Sequence, residues 1–345
     1  MSLSKRLITT DAAGGADGSA NFAPVIWTGT GAAQSTNSLN SQSGTINFAP
    51  DLIWIKQRSG TRDHIIADTV RGPSTNFNLL YPYGDFAEST SVGSEFIRSM
   101  QSNGFTIGNH VYVSELNETY VAWCWKAGGA AVSNTDGDIN SQVSANQAAG
   151  FSIVTHTSNN TNETIGHGLS AAPELIISKN RSVSGGWGVY NAISGTGKYL
   201  YFNLPNPIDT SATVYPTVNS TVFAGGSGGW NFGSHNYVHY CFHSVAGYQK
   251  VGSYTGDGSS NKSYVINVGF QPRFVMIKNT ESTGTSWVIA DSLRGFNDLY
   301  ANLTDAEFSS SDLYGAHFTS VGFTFNTADV SRNKLNEVYI YLAIA

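Results

Sequence analysis

One ordered set of four short segments occurs three times in this chain, and such internal repetition constrains the fold more than any single motif. Each copy starts with a proline-led apolar run that ends in lysine. The runs are residues 48–56 (FAPDLIWIK), 172–179 (APELIISK) and 270–278 (FQPRFVMIK). The chain is therefore predicted to contain three divergent copies of one unit.

The other three segments follow the lysine in the same order in every copy. A segment that includes an Asp-x-x-Arg-Gly corner in two copies comes next, then a step of glycine and an aromatic residue, then an aromatic closing strand. They lie at 65–72, 103–106 and 117–125 in the first copy, at 189–195, 229–232 and 235–242 in the second, and at 288–295, 321–324 and 336–343 in the third. The second copy lacks both the aspartate and the arginine of the corner.

The residue types of these segments favour strands, because branched and aromatic side chains fit a pleated, half-buried surface. In the first copy we expect strands near residues 25–29, 51–56, 64–69, 77–81, 104–108 and 119–126, separated by Gly, Asn and Ser clusters. The closing segment is aromatic at nearly every position, which is typical of a central strand covered on both faces.

The predicted fold class is all-β: three tandem divergent β-sandwich repeats, jelly-roll-like, preceded by an extended N-terminal arm. The arm is assigned to residues 1–24 and the first repeat with its linker to 25–149. The second and third repeats are assigned to 150–248 and 249–345. Within the first repeat, residues 127–148 are small and polar, and they are interpreted as a linker or a surface loop.

Charge is scarce, and this narrows the classes of function. Charged residues make up 12% of the chain and the net charge is −6, without a cluster of Lys and Arg. Sequence-independent binding to nucleic acid needs such a cluster, so nucleic acid is not an expected partner. No apolar run is long enough to cross a bilayer and no secretory signal is recognisable, so we expect synthesis in the cytoplasm without membrane insertion.

The two cysteines occupy the same position of the closing segment in successive copies. These residues are Cys124 and Cys241, and the third copy has Ala343 there. Equivalent core positions of separate units seldom lie at disulfide distance. Both are therefore predicted to be buried apolar side chains with inert thiols.

Several segments together resemble a family of uncharacterised virion proteins from phages of marine bacteria, of the cyanophage and pelagiphage type. They include residues 27–31 (WTGTG), 120–129 (YVAWCWKAGG), 149–155 (AGFSIVT) and 252–258 (GSYTGDG). The resemblance covers nearly the whole chain beyond about residue 25. It implies a structural or tail-fibre-like place in a phage particle, and it implies no chemistry.

Few residues point to metal binding or catalysis. Asp136, Asp138 and Asn140 alternate like the start of a calcium loop, but the glutamate that completes an EF-hand is absent, so a turn is favoured over bound Ca²⁺. No other cofactor is expected. His235, His239 and His243 fall on a predicted strand, where residues four apart lie about 13 Å from one another, so they are interpreted as sheet-surface histidines.

The aspartates of the corners are the candidates for a pair of carboxylates of the glycosidase type. Asp68 and Asp291 are equivalent to one another, and each is followed by an arginine that makes a turn-forming ion pair the simpler interpretation. No enzymatic activity is predicted.

Four tryptophans, Trp27, Trp187, Trp230 and Trp287, are candidates for contact with a sugar, and Trp187 and Trp287 are the stronger two. Trp187 and Trp287 lie beside Gly- and Ser-rich segments at equivalent places in the second and third copies, where a flat ring could stack on a glycan. Core packing is the alternative for all four.

The predicted function is a virion structural protein, either associated with the tail or fibre or bound to the capsid as a decoration subunit. Its partners would be other virion proteins and further copies of itself, contacted through polar β faces and through the N-terminal arm that carries Lys5 and Arg6. The alternative is an adsorption protein that binds host surface glycan through loop-tip aromatic residues.

Overall fold

Strands dominate the computed structural model of this chain, which describes residues 18–36, 39, 42–72, 75–90, 93–159, 162–226, 230, 233–295, 297–308 and 315–345. The helical elements described there are short. They are α1 (Gly18–Asn21), a 3-10 turn (Gly93–Glu95) and α2 (Val111–Ser114). An all-β fold built of several sheets is thus confirmed.

Three main sheets carry most of the strands. The first has the order β1-β7-β3-β4, made of β1 (Phe22–Thr28), β7 (Thr119–Trp125), β3 (Leu52–Gln57) and β4 (Ile65–Asp68). The third has the order β18-β25-β20-β21-β22, made of β18 (Gln249–Thr255), β25 (Val338–Ile344), β20 (Phe274–Asn279), β21 (Val288–Asp291) and β22 (Leu299–Tyr300).

The second main sheet is wider and has the order β15-β14-β13-β12-β17-β10-β9-β8. Its strands are β8 (Val132–Asn134), β9 (Ser141–Asn146), β10 (Phe151–Thr157), β12 (Leu175–Asn180), β13 (Gly188–Asn191), β14 (Lys198–Tyr201), β15 (Asp209–Thr210) and β17 (Asn236–Phe242). The predicted linker at 127–148 is therefore in part sheet: β9 pairs with β10, and β8 adds to its edge.

The same order of strands is seen in all three main sheets. The closing strand (β7, β17 or β25) is central, with an opening strand (β1, β10 or β18) on one side and the proline-led strand (β3, β12 or β20) on the other. Nearly every residue of the closing strand is buried, as the aromatic segment predicted. That the sheets are tandem copies of one unit stays a prediction from the sequence.

A smaller sheet accompanies each main sheet. These have the orders β2-β6-β5, β11-β16 and β19-β24-β23. Their strands are β2 (Gln34–Ser35), β5 (Ile97–Gln101), β6 (Gly104–Ile107), β11 (Thr164–Gly166), β16 (Val222–Ala224), β19 (Val265–Asn267), β23 (His317–Thr319) and β24 (Gly322–Thr324).

Alternation along the closing strand sends its side chains into two different cores. In β7, Val121, Trp123 and Trp125 enter a core that also contains residues of the second and third main sheets. Tyr120 and Cys124 point the other way, into a core shared with β5 and β6 of the small sheet. Because successive side chains of a strand face opposite sides, each main sheet is buried on both faces.

Three sequence predictions differ from the structure in detail. Residues 77–81 contribute single bridges rather than a regular strand, and β1 begins at Phe22, inside the segment assigned to the arm. Pro24 is tolerated in β1 because that strand lies at the edge of its sheet. In the second copy, the aromatic residue of the glycine–aromatic step was assigned to Trp230. The residue that pairs within the small sheet, as Phe105 and Phe323 do in theirs, is Phe223 of β16.

Candidate functional site

Trp187 and Trp287, the two stronger candidates for a sugar contact, lie in the core that the three main sheets share. Their exposed fractions are 0% and 1%, so neither ring can stack on a ligand. The indole Nε1 of Trp187 donates to the carbonyl of Tyr81 at 3.1 Å, and that of Trp287 donates to the carbonyl of Tyr201 at 2.9 Å. Both tryptophans therefore join neighbouring sheets, and their assignment as glycan contacts is wrong.

The corner after β4 carries a buried ion-pair network that reaches the second main sheet. Arg71 binds Asp68 through Nε and Glu88 through Nη1, the latter at 2.6 Å. Glu88 in turn binds Arg181, which follows β12, at 2.8 Å. Since the carboxylates and Arg71 are almost fully enclosed, each charge is stabilised mainly by its partners.

An equivalent network follows β21 and reaches the first main sheet. Arg294 binds Asp291 through Nε and Glu307 through Nη1, the latter at 2.9 Å. Glu307 also binds Arg58, which follows β3, at 2.8 Å. The first and third main sheets are thus joined as the first and second are.

The junction between the second and third main sheets lacks these charges. The sheet register places Asn191 at the position of Asp68 and Asp291, because all three lie opposite the first residue of the proline-led strand. Ile208 donates its backbone N–H to the carbonyl of Thr280 at 2.9 Å, as Glu88 does to Arg181 and Glu307 to Arg58. The backbone contact is therefore common to the three junctions, and the ion pairs are found in two.

The closing strands differ between the charged junctions and the uncharged one in whether they supply a hydrogen-bond donor. Tyr240 of β17 donates its hydroxyl to Asp68 at 2.8 Å, and Trp123 of β7 donates its indole N–H to Asp291 at 2.9 Å. At the corresponding position β25 has Leu342, whose side chain has no hydrogen-bond donor. Leu342 belongs to the junction where Asn191 replaces the aspartate. A hydrogen-bond donor thus accompanies the aspartate at each charged junction.

These contacts decide what Asp68 and Asp291 can do chemically. Each carboxylate accepts hydrogen bonds from its arginine, from backbone N–H groups of its own turn and from a closing strand. Both residues are buried, at 1% and 0% exposure. The corner is a structural joint, as the ion-pair interpretation predicted.

The calcium candidates lie in an exposed turn between β8 and β9. Asp136 Oδ2 accepts from the side chain of Asn134 at 2.9 Å, and Asp138 Oδ2 accepts from Thr164 N and Oγ1 at 3.0 and 2.8 Å. The hydrogen bonds from Thr164 hold the pKa of Asp138 below its usual value. Asn140 is exposed beside them. These contacts are those of an Asx-rich turn.

Within the described ranges, no group of three or more His, Cys, Asp or Glu side chains is arranged to hold a metal ion. Lys5 and Arg6, assigned to the assembly arm, lie outside the described residues.

Two of the three histidines at β17 and its ends, His239 and His243, are buried, contrary to the sequence interpretation, and His235 is partly exposed. His239 is 0% exposed, and its Nδ1 lies 2.7 Å from Ser178 Oγ while its Nε2 lies 3.3 Å from His156 Nδ1. Tyr215 donates its hydroxyl to Ser178 at 2.6 Å. Burial lowers the pKa of His239 well below its usual value. A serine–histidine contact is present, but Ser178 is itself fully buried, so no substrate can reach it.

The penultimate residue of each proline-led strand is a buried lysine, and the sequence did not suggest its burial. Lys56, Lys179 and Lys278 are each 0% exposed. Their ammonium groups donate to loop carbonyls, for example Lys278 to the carbonyl of Thr285 at 2.6 Å. Burial lowers the pKa to about 8 for Lys56 and Lys179 and to about 7 for Lys278.

The cysteines are buried and form no disulfide, as predicted. Cys124 and Cys241 are both 0% exposed on equivalent closing strands, and burial raises the pKa of each thiol. A raised thiol pKa keeps the unreactive protonated form, because the thiolate is the nucleophile.

Comparison with known proteins gives one family. The family described as "Domain of unknown function (DUF7483)" matches residues 17–345. No curated protein and no solved structure matches the chain. In the part of the chain that the structure describes, no helix has both the length and the apolar character needed to span a bilayer.

Proposed function

We propose a role for this chain, which belongs to the DUF7483 family, as a structural protein of a bacteriophage virion without catalytic activity of its own. It would be made in the host cytoplasm and incorporated into the particle as a tail- or fibre-associated subunit or as a capsid decoration subunit. Its contacts would be with other virion proteins and with further copies of itself.

The observation that carries this proposal is the way the three main sheets share one core. Residues from all three sheets meet there, and largely enclosed ion pairs, Glu88–Arg181 and Arg58–Glu307, join the first sheet to each of the others. Three groups that could have acted as acid or base, Asp68, Asp291 and His239, are buried and already bonded within the fold. Three sheets joined in this way would form one rigid unit, as a structural subunit of a particle requires.

Low surface charge supports assembly as the role of the outer faces. With 12% charged residues, the surface relies on hydroxyl and amide groups, which lose less on burial against a partner than ionised groups do. Several apolar side chains are also exposed, among them Leu116 and Leu335 at equivalent turns before closing strands, at 63% and 59%. The resemblance to virion proteins indicates which kind of assembly would cover them.

The test is to measure the chain in purified particles of the phage that encodes it. Quantitative mass spectrometry of intact particles, emptied heads and isolated tails should find the chain at a fixed copy number. A number that matches the capsid lattice in heads would assign it to decoration, and a small symmetric multiple in tails would assign it to the tail or fibre. Absence from washed particles, with abundant chain in the infected cells, would refute the proposal.

The arm is tested separately by deleting residues 1–17, which precede the described fold. The shortened chain should keep its thermal midpoint and lose incorporation into particles. Unchanged incorporation would show that the arm is not an attachment segment.

A further inference from the structure

A cleft of about 370 Å³ opens at one end of the second main sheet. It is bounded by the turn that follows β12, by the exposed end of β14 and by the residues that lead into β17. Its lining comprises Asn180, residues 183–186, Tyr199, Tyr201, Trp230, His235 and Tyr237. Apart from His235, the described residues of this lining have no acidic or basic side chain, so the cleft favours a neutral ligand.

Aromatic rings form one wall of this cleft and hold one another in place. The rings of Tyr199 and Tyr201 meet that of Trp230 edge to face, with centroids 5.4 and 6.1 Å away. Trp230 stacks on Tyr215 at 5.8 Å, and its indole N–H donates to the carbonyl of Gly186 at 3.0 Å. Tyr199 and Tyr201 are half-buried, so parts of their rings face the cleft while the rest is fixed by packing.

Gly188, beside this wall, leaves room for the indole of Trp230 because it has no side chain. A Cβ on Gly188 would lie 2.1 Å from the Trp230 ring, which makes a side chain there impossible without displacing the indole. The equivalent positions in the other main sheets hold Ile65 and Val288. The aromatic wall is thus particular to the second sheet and is not required by the shared strand order.

A second cleft, of about 510 Å³, is lined by residues of the same sheet and its turns, among them Asp138, Gln142, Thr155, Arg181 and Asn236. Asn236 directly precedes Tyr237 on β17, and successive side chains of a strand face opposite sides of the sheet. The second cleft is therefore separate from the first, which has its own hydrogen-bonding groups in Asn180, Ser184 and His235.

We propose that this aromatic-walled cleft binds a neutral oligosaccharide, with one sugar ring against Tyr199 and Tyr201. A sugar presents an apolar face of C–H groups and a rim of hydroxyls, which matches aromatic rings beside amides and backbone carbonyls. An anionic ligand would meet no lysine or arginine among the described residues of the lining. The site does not depend on the structural role proposed above.

The test uses the full chain and a panel of neutral hexasaccharides of glucose, galactose, mannose or N-acetylglucosamine, with a sulfated hexasaccharide as the charged comparison. Saturation-transfer NMR would detect binding and calorimetry would give Kd. At least one neutral member should bind. Tyr201→Ala should weaken that binding by about fivefold or more, since truncating a well-packed aromatic contact commonly costs over 1 kcal/mol.

Tyr300→Ala is the matched control, because Tyr300 has the same register in the third main sheet and does not line the cleft. Its Kd should equal that of the unchanged chain. His235→Ala supplies a second variant at a partly exposed position, so the proposal stays testable if Tyr201→Ala does not fold. No binding of any neutral member at millimolar concentration would overturn the proposal. So would a preference for the sulfated sugar, or a Kd that neither Tyr201→Ala nor His235→Ala changes.

Discussion

At the scale of single residues, three buried lysines have their ammonium groups bound by backbone carbonyls. Lys56, Lys179 and Lys278 are the penultimate residues of equivalent strands, and each ammonium group donates to backbone carbonyls instead of a carboxylate. Carbonyl dipoles replace only part of the hydration that burial removes. The protonated form is therefore disfavoured, as the lowered pKa values indicate.

Lys278→Met should flatten the dependence of stability on alkaline pH. Lys278 releases its proton near pH 7 in the folded chain and near 10.5 when unfolded, so the unfolded chain binds more protons between these values. Stability from this residue therefore rises with pH across that window, by up to about 1.4 kcal/mol per pH unit. Denaturant unfolding over a pH series should show the slope of the variant reduced by about this amount.

Lys250→Met is the control for that series, because Lys250 is an exposed lysine on β18. It should leave the slope unchanged. Equal slopes for the unchanged chain and Lys278→Met would show that Lys278 stays protonated in the folded state.

Arg71→Met tests the buried network of the first corner. The variant leaves Asp68 and Glu88 buried without their shared cation, and removing one partner of a buried ion pair typically costs about 3–5 kcal/mol. Arg62→Met is the comparison, since the Arg62–Glu115 pair is far more exposed and should contribute at most about 1 kcal/mol. Similar losses for the two variants in urea unfolding would contradict this account.

At the scale of elements, the three junctions between main sheets are unequal. Two combine an aspartate, an arginine, a glutamate and a second arginine, while the third has Asn191 and Ser194 at the positions of Asp68 and Arg71. Asn191 Nδ2 is buried and makes no hydrogen bond within the described part of the chain. This junction is therefore held by backbone contacts and packing.

A double-mutant cycle at the third junction measures what the corner contributes. Asn191→Asp should destabilise the chain, because the new carboxylate would be buried without an arginine. Adding Ser194→Arg should recover part of the loss, with a coupling energy of about 1–3 kcal/mol in chemical unfolding. If the two changes simply add, the corner contributes no pairwise stabilisation at this junction.

The sequence predicted strands better than it predicted which side chains are exposed. The proline-led and closing strands were found because their residue types and their recurrence both point to a buried sheet. Trp187, Trp287 and His239 were misjudged because their cover comes from another main sheet or from a small sheet distant in sequence. The linker that became β9 was missed because Ser and Gln replace the branched residues typical of strands.

The candidate site was still less predictable. The aromatic-walled cleft of the second main sheet depends on the close contact between Gly188 and the indole of Trp230, which comes from a distant segment. No local sequence pattern indicates that contact. A comparison of the copies does offer one indication: glycine stands where the other two have Ile65 and Val288. The network partners Glu88 and Glu307 likewise fall in segments without a regular pattern.

At the scale of the whole molecule, the shared core makes the three main sheets dependent on one another. Each supplies large side chains to it, including Trp123, Tyr240 and Met276. Separating any one sheet would expose apolar surface of the other two, and this loss grows with the area exposed.

Calorimetry of the full chain should therefore give one cooperative transition, with equal calorimetric and van't Hoff enthalpies. Repeating the scan at high salt should move the midpoint little, because the ion pairs of the junctions are buried and weakly screened. Two or three separate transitions would show that the sheets unfold as independent units.

The central place of the closing strands also bears on how the chain is made. A ribosome releases β1 and β3 first, and the strand that must lie between them, β7, emerges only after the whole segment from 58 to 118. During that interval two apolar strands have unsatisfied edges, and the same delay recurs at β17 and β25. Newly made chain should therefore be a client of cotranslational chaperones, and slowing elongation would increase the yield of aggregate.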